Sequence, residues 1–434
     1  MHVRTFLGIV FTLLSLTVSA QFSQQERILA KHYFAEAAQA SRQDAGMLWG
    51  IPLYGPMLFI NAQTRSVMAN VPDSTGLFVH QDSVFVGQLP DSLNVANTAV
   101  QWAGKRWTMI MWPLPDLKPD RLNLMMHELF HRIQPQLDFT NGKEINPHLD
   151  ERMGRVLLRL ELRALQHAVS GTGKVRVHHI RNALLFRHYR RLLFAGADST
   201  EDNLERNEGL AEWTGLLLSG QTPAQMQNHL THLLAQSQQT KNFARSFAYL
   251  TGPAYGFTLT EIQPDWNRKL RKTGFITERL VSAYSWRMPN DLVLAYRKAK
   301  KEYDGITIDK QEAQFEETRQ VELRHLKGKF LSNNRLLIAL HKMNISFNPG
   351  TLKSLPNQGT IYPTMRLVDE WGVLDVTNEA LISTDWSQVT VSFPKGVNSS
   401  TQLIKTPEWT LTLEKSWSVQ YQQEGIWTLK KGNE

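Results

Sequence analysis

A chain of 434 residues is too long for one ordinary domain, and 42% apolar with 20% charged residues excludes a disordered or fibrous chain. No cysteine is present, so no disulfide can contribute to stability. Much of the +8 formal charge sits in residues 174–191 and 297–301, at helical spacing beside leucines such as Leu184 and Leu192; this reads as a solvated helix face, and no nucleic acid is expected as a partner.

Residues 1–20 read as an export signal. His2 and Arg4 give a positive start, residues 6–18 are almost wholly apolar, and Val18, Ser19 and Ala20 place small residues before a cut at Gln21. That run is shorter than the ~20 residues a bilayer span needs, and no later segment is apolar enough, so a secreted or periplasmic chain without a membrane span is expected. Residues 23–45 then read as a helix. Short β-prone runs follow at 53–60, 66–71, 77–87 and 106–112, punctuated by Gly55-Pro56, Pro72-Asp73, Pro90-Asp91 and Gly104-Lys105. They predict a small, mostly antiparallel sheet, so residues 21–118 read as the N-terminal helix and β-rich part of a first domain.

Residues 119–305 are its helical part, with helices expected at 120–134, 149–168, 180–194, 200–218, 223–236 and 264–303. The charged stretch 310–329 predicts an exposed helix in a connector spanning 306–344. Alternation returns afterwards, as in Val389, Val391 and Phe393 or Trp409, Leu411 and Leu413, so 345–434 reads as a C-terminal all-β domain of sandwich type. The fold class is α+β.

The segment that carries chemistry is Asp120-Arg-Leu-Asn-Leu-Met-Met-His127-Glu128-Leu-Phe-His131-Arg-Ile-Gln134, stopped by Pro135. Asp120 is the expected N-cap, and the middle of the helix is apolar nearly all round except for His127, Glu128 and His131. Burying such a trio without partners costs roughly 2–7 kcal/mol per unsatisfied neutral group. The two imidazoles, one turn apart, share a face and can share a metal, for which two nitrogen donors suit Zn2+. Glu128 stands where it can take a proton from water activated by that metal. The competing possibility is a hydrogen-bonded pair of core histidines without metal.

A catalytic zinc needs a third protein ligand. Asn207-Glu208-Gly209-Leu210-Ala211-Glu212-Trp213 offers one, on a helix expected to be capped at Ser199 or Thr200. With the first motif it resembles the gluzincin metallopeptidases, the group of thermolysin-like enzymes and zinc aminopeptidases, where a His-Glu-x-x-His helix precedes one bearing Asn-Glu-Gly-x-Ala. The resemblance implies a zincin-like catalytic unit, Glu208 as third ligand, Glu212 as an acidic residue steadying a metal histidine, and peptide hydrolysis with Glu128 as general base. It covers residues 120–215 and departs from the group in its long link, residues 132–207.

In that link Arg152, Arg155, Arg159 and Arg163 line one helix face, and Glu201, Glu205, Glu208 and Glu212 line one face of the helix that carries the second motif. Either the stripes pack together or both face water; in the second case Glu161 is the reserve ligand. Tyr249 and Tyr255 flank Gly252-Pro253, where a turn could aim one hydroxyl at the metal as oxyanion donor; Tyr255 is the candidate, against packing roles for both. In the resembled group a strand near the zinc helix pairs with extended substrate; residues 106–112 are either that edge or an interior strand of the sheet. A peptide or protein substrate follows, and the β domain's partner is left open. The alternative is an exported, non-catalytic binding protein with a structural or degenerate zinc site.

Overall fold

The computed structural model describes residues 22–139, 146–240, 242–348, 351–423 and 425–432; the expected export signal lies outside them. Helix α1 (Gln24–Asp44) opens on a reciprocal cap: the Ser23 hydroxyl accepts from the Glu26 amide while the Glu26 carboxylate accepts from the Ser23 amide. The N-terminal sheet comprises β1 (Met57–Asn61), β2 (Ser66–Ala69), β3 (Val79–Gln81), β4 (Val84–Gln88), β5 (Thr98–Trp102) and β6 (Lys105–Trp112), in spatial order β3-β4-β2-β1-β6-β5. Every pairing is antiparallel except β1 with β6. Residues 106–112 are therefore an interior strand. The edge is β5, joined to β6 by a two-residue turn in which Ala103 and Gly104 both have positive φ.

The helices that follow are α2 (Lys118–Ile133), α3 (Arg152–Ser170), α4 (Gly173–Leu193), α5 (Ala197–Leu204), α6 (Leu210–Leu217), α7 (Pro223–Gln236), α8 (Ala248–Ile262), α9 (Trp266–Thr273), α10 (Ile276–Ala283), α11 (Leu292–Glu302) and α12 (Gly305–Lys327). Helix α2 lies against the sheet, with Met125, Met126, Leu129 and Phe130 sharing one core with Phe59 and Ile110. Leu117, not Asp120, occupies its N-cap; Pro119 and Asp120 fall in the first turn, where a fixed φ and a negative charge suit a helix start. Likewise α5 begins after Gly196 at φ +79°, ahead of the expected caps Ser199 and Thr200. No helix among the described residues is long and apolar enough to cross a membrane.

The basic stretch of α4 departs furthest from expectation. Arg187 and Arg190 are fully buried, not solvated. Arg187 binds Glu161 of α3 at 2.8 Å and both oxygens of Glu205; Arg190 binds Glu161 at 2.7 Å and Glu201 of α5. The arginine face of α3 does not meet those glutamates: Arg152 is exposed, while Arg155 and Arg159 are buried and pair with Glu312 of α12 at 2.6 and 2.9 Å.

The C-terminal unit starts earlier than the alternation implied, because β7 (Arg335–Ala339) lies inside its seven-stranded sheet. A five-stranded sheet, whose edge is β8 (Asn344–Phe347), completes a sandwich around Leu336, Leu367, Trp371 and Leu411. The architecture is α+β: a helical middle between separate N- and C-terminal sheets.

Candidate metal centre

His127 and His131 project from α2 toward a segment in which the helix widens. Between α5 and α6 the Leu210 amide reaches back five residues to the Glu205 carbonyl, so residues 205–209 form a π turn. This turn carries Glu208. Its carboxylate oxygen lies 3.6 Å from Nε2 of His127 and 3.4 Å from Nε2 of His131, and the two Nε2 atoms are 3.1 Å apart.

Hydrogen bonds on the far side of each ring set the tautomers. Nδ1 of His127 donates to Glu212 at 3.0 Å, with Asn123 bonding that carboxylate's other oxygen, and Nδ1 of His131 donates to the amide oxygen of Gln134 at 2.7 Å. Both Nε2 atoms are thereby left as lone pairs, facing each other and a carboxylate oxygen. Three acceptors in mutual contact repel unless a proton or a metal cation lies among them. A tetrahedral zinc with donors at about 2.0–2.1 Å has donor–donor edges of about 3.3 Å, so the triangle fits that ion.

The electrostatics agree. Burial penalises the imidazolium of His127, yet Glu208, Glu212 and Glu128 outweigh it and raise its pKa well above the ordinary value; His131 is raised too, against its own burial, chiefly by Glu208. Burial works against the Glu208 carboxylate as well, but the imidazoles hold it well below the usual carboxylate range. Without a metal the cluster therefore retains protons, which means that it favours positive charge at its centre.

Glu128 differs from its neighbours. One of its carboxylate oxygens is buried without a hydrogen-bond partner among the described residues, and burial, the largest influence, raises its pKa despite both histidines. Two hollows of about 410 and 700 Å³ meet at the cluster, each lined by His127, Glu128 and Tyr249. The β5 edge walls the smaller one, and Ser346 and Phe347 of β8 border both.

Tyr255 does not reach this place. Helix α8 runs unbroken through Gly252 and Pro253, so no turn re-aims it. Two residues six apart on a helix point roughly 120° away from each other. Tyr255 is buried, donates to Glu161 at 2.8 Å and stacks on the Arg187 guanidinium. Tyr249 stands at the cluster instead, its hydroxyl donating to Glu208 at 2.6 Å and its ring parallel to that of His127. Glu161, the reserve ligand, is taken up by Arg187 and Arg190. Sequence reasoning missed Gln134, which ties His131 to the π turn through the carbonyls of Arg206 and Asn207; its only signal was its place three residues after His131.

Contact between two glycines lets α8 approach the π turn. A side-chain carbon on Gly252 would run into the backbone of Gly209. Gly252→Ala is therefore expected to lower stability by about 1–3 kcal/mol and to weaken metal binding, because it pushes Tyr249 from Glu208. Urea denaturation and zinc titration check this; an unchanged affinity would mean that the glycine contact does not position the ligand.

A second group, His178, His179 and Glu302, lies on the surface between α4 and α11. There Nδ1 of His179 is engaged by the Tyr303 hydroxyl at 2.7 Å, and His178 is exposed. No protein-family model, curated protein or solved structure matches this chain, so its chemistry has to be read from its own side chains.

Proposed function

We propose that the chain is an exported zinc-dependent hydrolase that cleaves peptide bonds, held together chemically by His127, His131 and Glu208. The observation that carries this reading is the triangle of facing acceptors at 3.1–3.6 Å, beside a buried carboxylate with one oxygen unpartnered among the described residues. A zinc ion bound there supplies Lewis acidity, which makes water a nucleophile near neutral pH and polarises a carbonyl. Glu128 accepts the proton of that water and passes it to the leaving amine; burial, by raising its basicity, suits it to both transfers. Tyr249 takes the role expected of Tyr255, since its hydroxyl already reaches Glu208 and can donate to a developing oxyanion. Glu212 and Gln134 hold the imidazoles in the tautomers that leave Nε2 free. The unpaired edge of β5 is placed for an extended peptide to add as a further strand. The likeness to gluzincins, with a zincin-like unit, belongs to the same proposal.

A non-catalytic reading asks less of the chain, because the geometry by itself supports only the holding of a cation. Its specific support is the roof over the cleft: Asn94 donates to Asn344 at 3.0 Å and Ser346 to the Val95 carbonyl at 3.0 Å, tying β8 of the sandwich to the loop before β5. Zinc analysis and turnover of a mixed quenched-peptide set separate the two. The hydrolase is expected to carry stoichiometric zinc, to lose cleavage on chelation and to recover it with zinc. Bound zinc without cleavage favours the binding protein, and stoichiometric zinc in Glu208→Ala would refute the ligand set.

A further inference from the structure

Buried arginines of this chain are matched with carboxylates: Arg121 with Glu36, Arg155 with Glu312, Arg187 with Glu161. Half-buried arginines divide: Arg65 and Arg366 pair with carboxylates, whereas Arg132 and Arg163 bond only carbonyl or amide oxygens among the described residues, and the cleft holds two without a carboxylate. Arg106 and Arg245 both line the hollow of about 410 Å³ beside the histidines and are half-buried, and neither pairs with a carboxylate among the described residues.

Arg106 uses Nε and one terminal nitrogen on the carbonyls of Arg132 and His131, at 3.1 and 3.3 Å, where α2 ends. Its other terminal nitrogen is uncommitted. Arg245 is held differently, with its guanidinium 5.6 Å from the ring centre of Phe347 in β8. No described residue accepts a hydrogen bond from this guanidinium, so the N–H groups of its fork are available. The acidic groups of this hollow, Glu128 and Glu208, are committed to the cluster, and their two charges only offset those of a divalent ion. Two guanidiniums then leave the hollow net positive. The larger hollow, which Phe347 also lines, lacks this character: Asp120, Glu128 and Glu212 border it beside Met111, Leu124, Met365 and Val376, and its Arg366 is paired with Asp375 at 2.8 Å.

We infer that the smaller hollow is a subsite for a carboxylate of the substrate, gripped by the fork of Arg245 and supported by Arg106, so that the peptide lies with an anionic group toward Arg245 and apolar residues toward Met365. This deepens the hydrolase reading and rests on it. The shared chemistry is a carboxylate, whether the α-carboxylate of a chain end or an Asp or Glu side chain. Phe347, which belongs to the sandwich, makes that unit part of substrate selection.

The test uses the full chain with Glu128→Gln, loaded with zinc, so that peptides bind uncleaved. Calorimetry compares one apolar peptide as free acid, as C-terminal amide, and as an amide carrying an internal Glu. A charge-assisted hydrogen bond corresponds to about a ten- to hundredfold gain in affinity for the carboxylate form over the neutral amide. Preference for the free acid assigns a chain end; preference for the Glu-containing amide assigns a side chain. Adding Arg245→Gln should abolish the preference while the neutral amide binds as before, and Arg245→Lys should restore it in part. Equal binding of all forms, or a preference that survives Arg245→Gln in a chain with unchanged circular dichroism, overturns the subsite. Turnover by the unmutated chain reports separately: charge-dependent binding without cleavage would remove the hydrolase reading and leave the subsite.

Discussion

Glu128→Gln should leave zinc stoichiometric and the melting temperature unchanged or slightly raised, while kcat for peptide cleavage falls by about 10²–10⁴. The two halves of that result come from different physics. Glutamine keeps the shape of the side chain, and none of the three metal donors is touched. The carboxylate it replaces is buried, has one oxygen without a partner among the described residues and is held above the ordinary carboxylate pKa, so it works against folding at neutral pH. Removing its charge therefore costs the fold little. What disappears is the group able to accept a proton beside the metal. Zinc by emission spectroscopy, a thermal melt and steady-state kinetics measure the three quantities. Undiminished turnover would reject Glu128 as the base, and lost zinc would mean that the residue has a ligand's role.

The first half of the site was legible because it obeys helical arithmetic. His127 and His131 are one turn apart on a helix whose remaining surface is apolar, and the structure leaves them on one face. The second half obeys it only in part. Glu201, Glu205, Glu208 and Glu212 make one stripe on a regular helix, but the π turn at 205–209 inserts extra rotation between them. Glu201 and Glu205 consequently face the arginines of α4, whereas Glu208 and Glu212 face the histidines. Nothing in residue types marks such a turn.

Tyr249 was hidden by a related cause, since Gly252-Pro253 has the composition of a turn but lies within a helix whose close contact with Gly209 demands a missing side chain. Strand β5 was passed over because Thr-Ala-Val-Gln-Trp is short and its Ala-Gly turn lacks the usual Asn or Asp. The sandwich was readable from period-two alternation, although its contact with the cleft through β8 depends on packing between distant segments, Asn94 with Asn344 and Val95 with Ser346.

The basic stretch of α4 offers the second large effect. Arg187→Met is expected to destabilise the chain by about 3–5 kcal/mol, the cost of leaving a buried charge without its partner. Arg187 is fully buried and bridges Glu161 of α3 and Glu205 of the π turn, while Tyr255 covers its face. Methionine fills similar space but takes the guanidinium from Glu205 and leaves Glu161 with Arg190 alone. Adding Glu205→Gln to Arg187→Met should recover part of the loss, because an amide is less costly to bury than an orphaned charge. The pH dependence has a definite sign. Burial opposes the charges of Glu161 and Glu201, yet the arginines hold both pKa values below the ordinary one. Their contribution is therefore complete above the unfolded carboxylate pKa of about 4.5 and is lost as pH falls toward the folded values. Arg187→Met should flatten the Glu161 share of that acid limb in urea titrations, while Glu201 keeps Arg190 and Arg191. Because Glu205 anchors the turn that presents Glu208, zinc affinity should fall with stability. A loss below about 1 kcal/mol would place the interaction in the range of exposed ion pairs and show that α4 does not anchor the metal-binding turn.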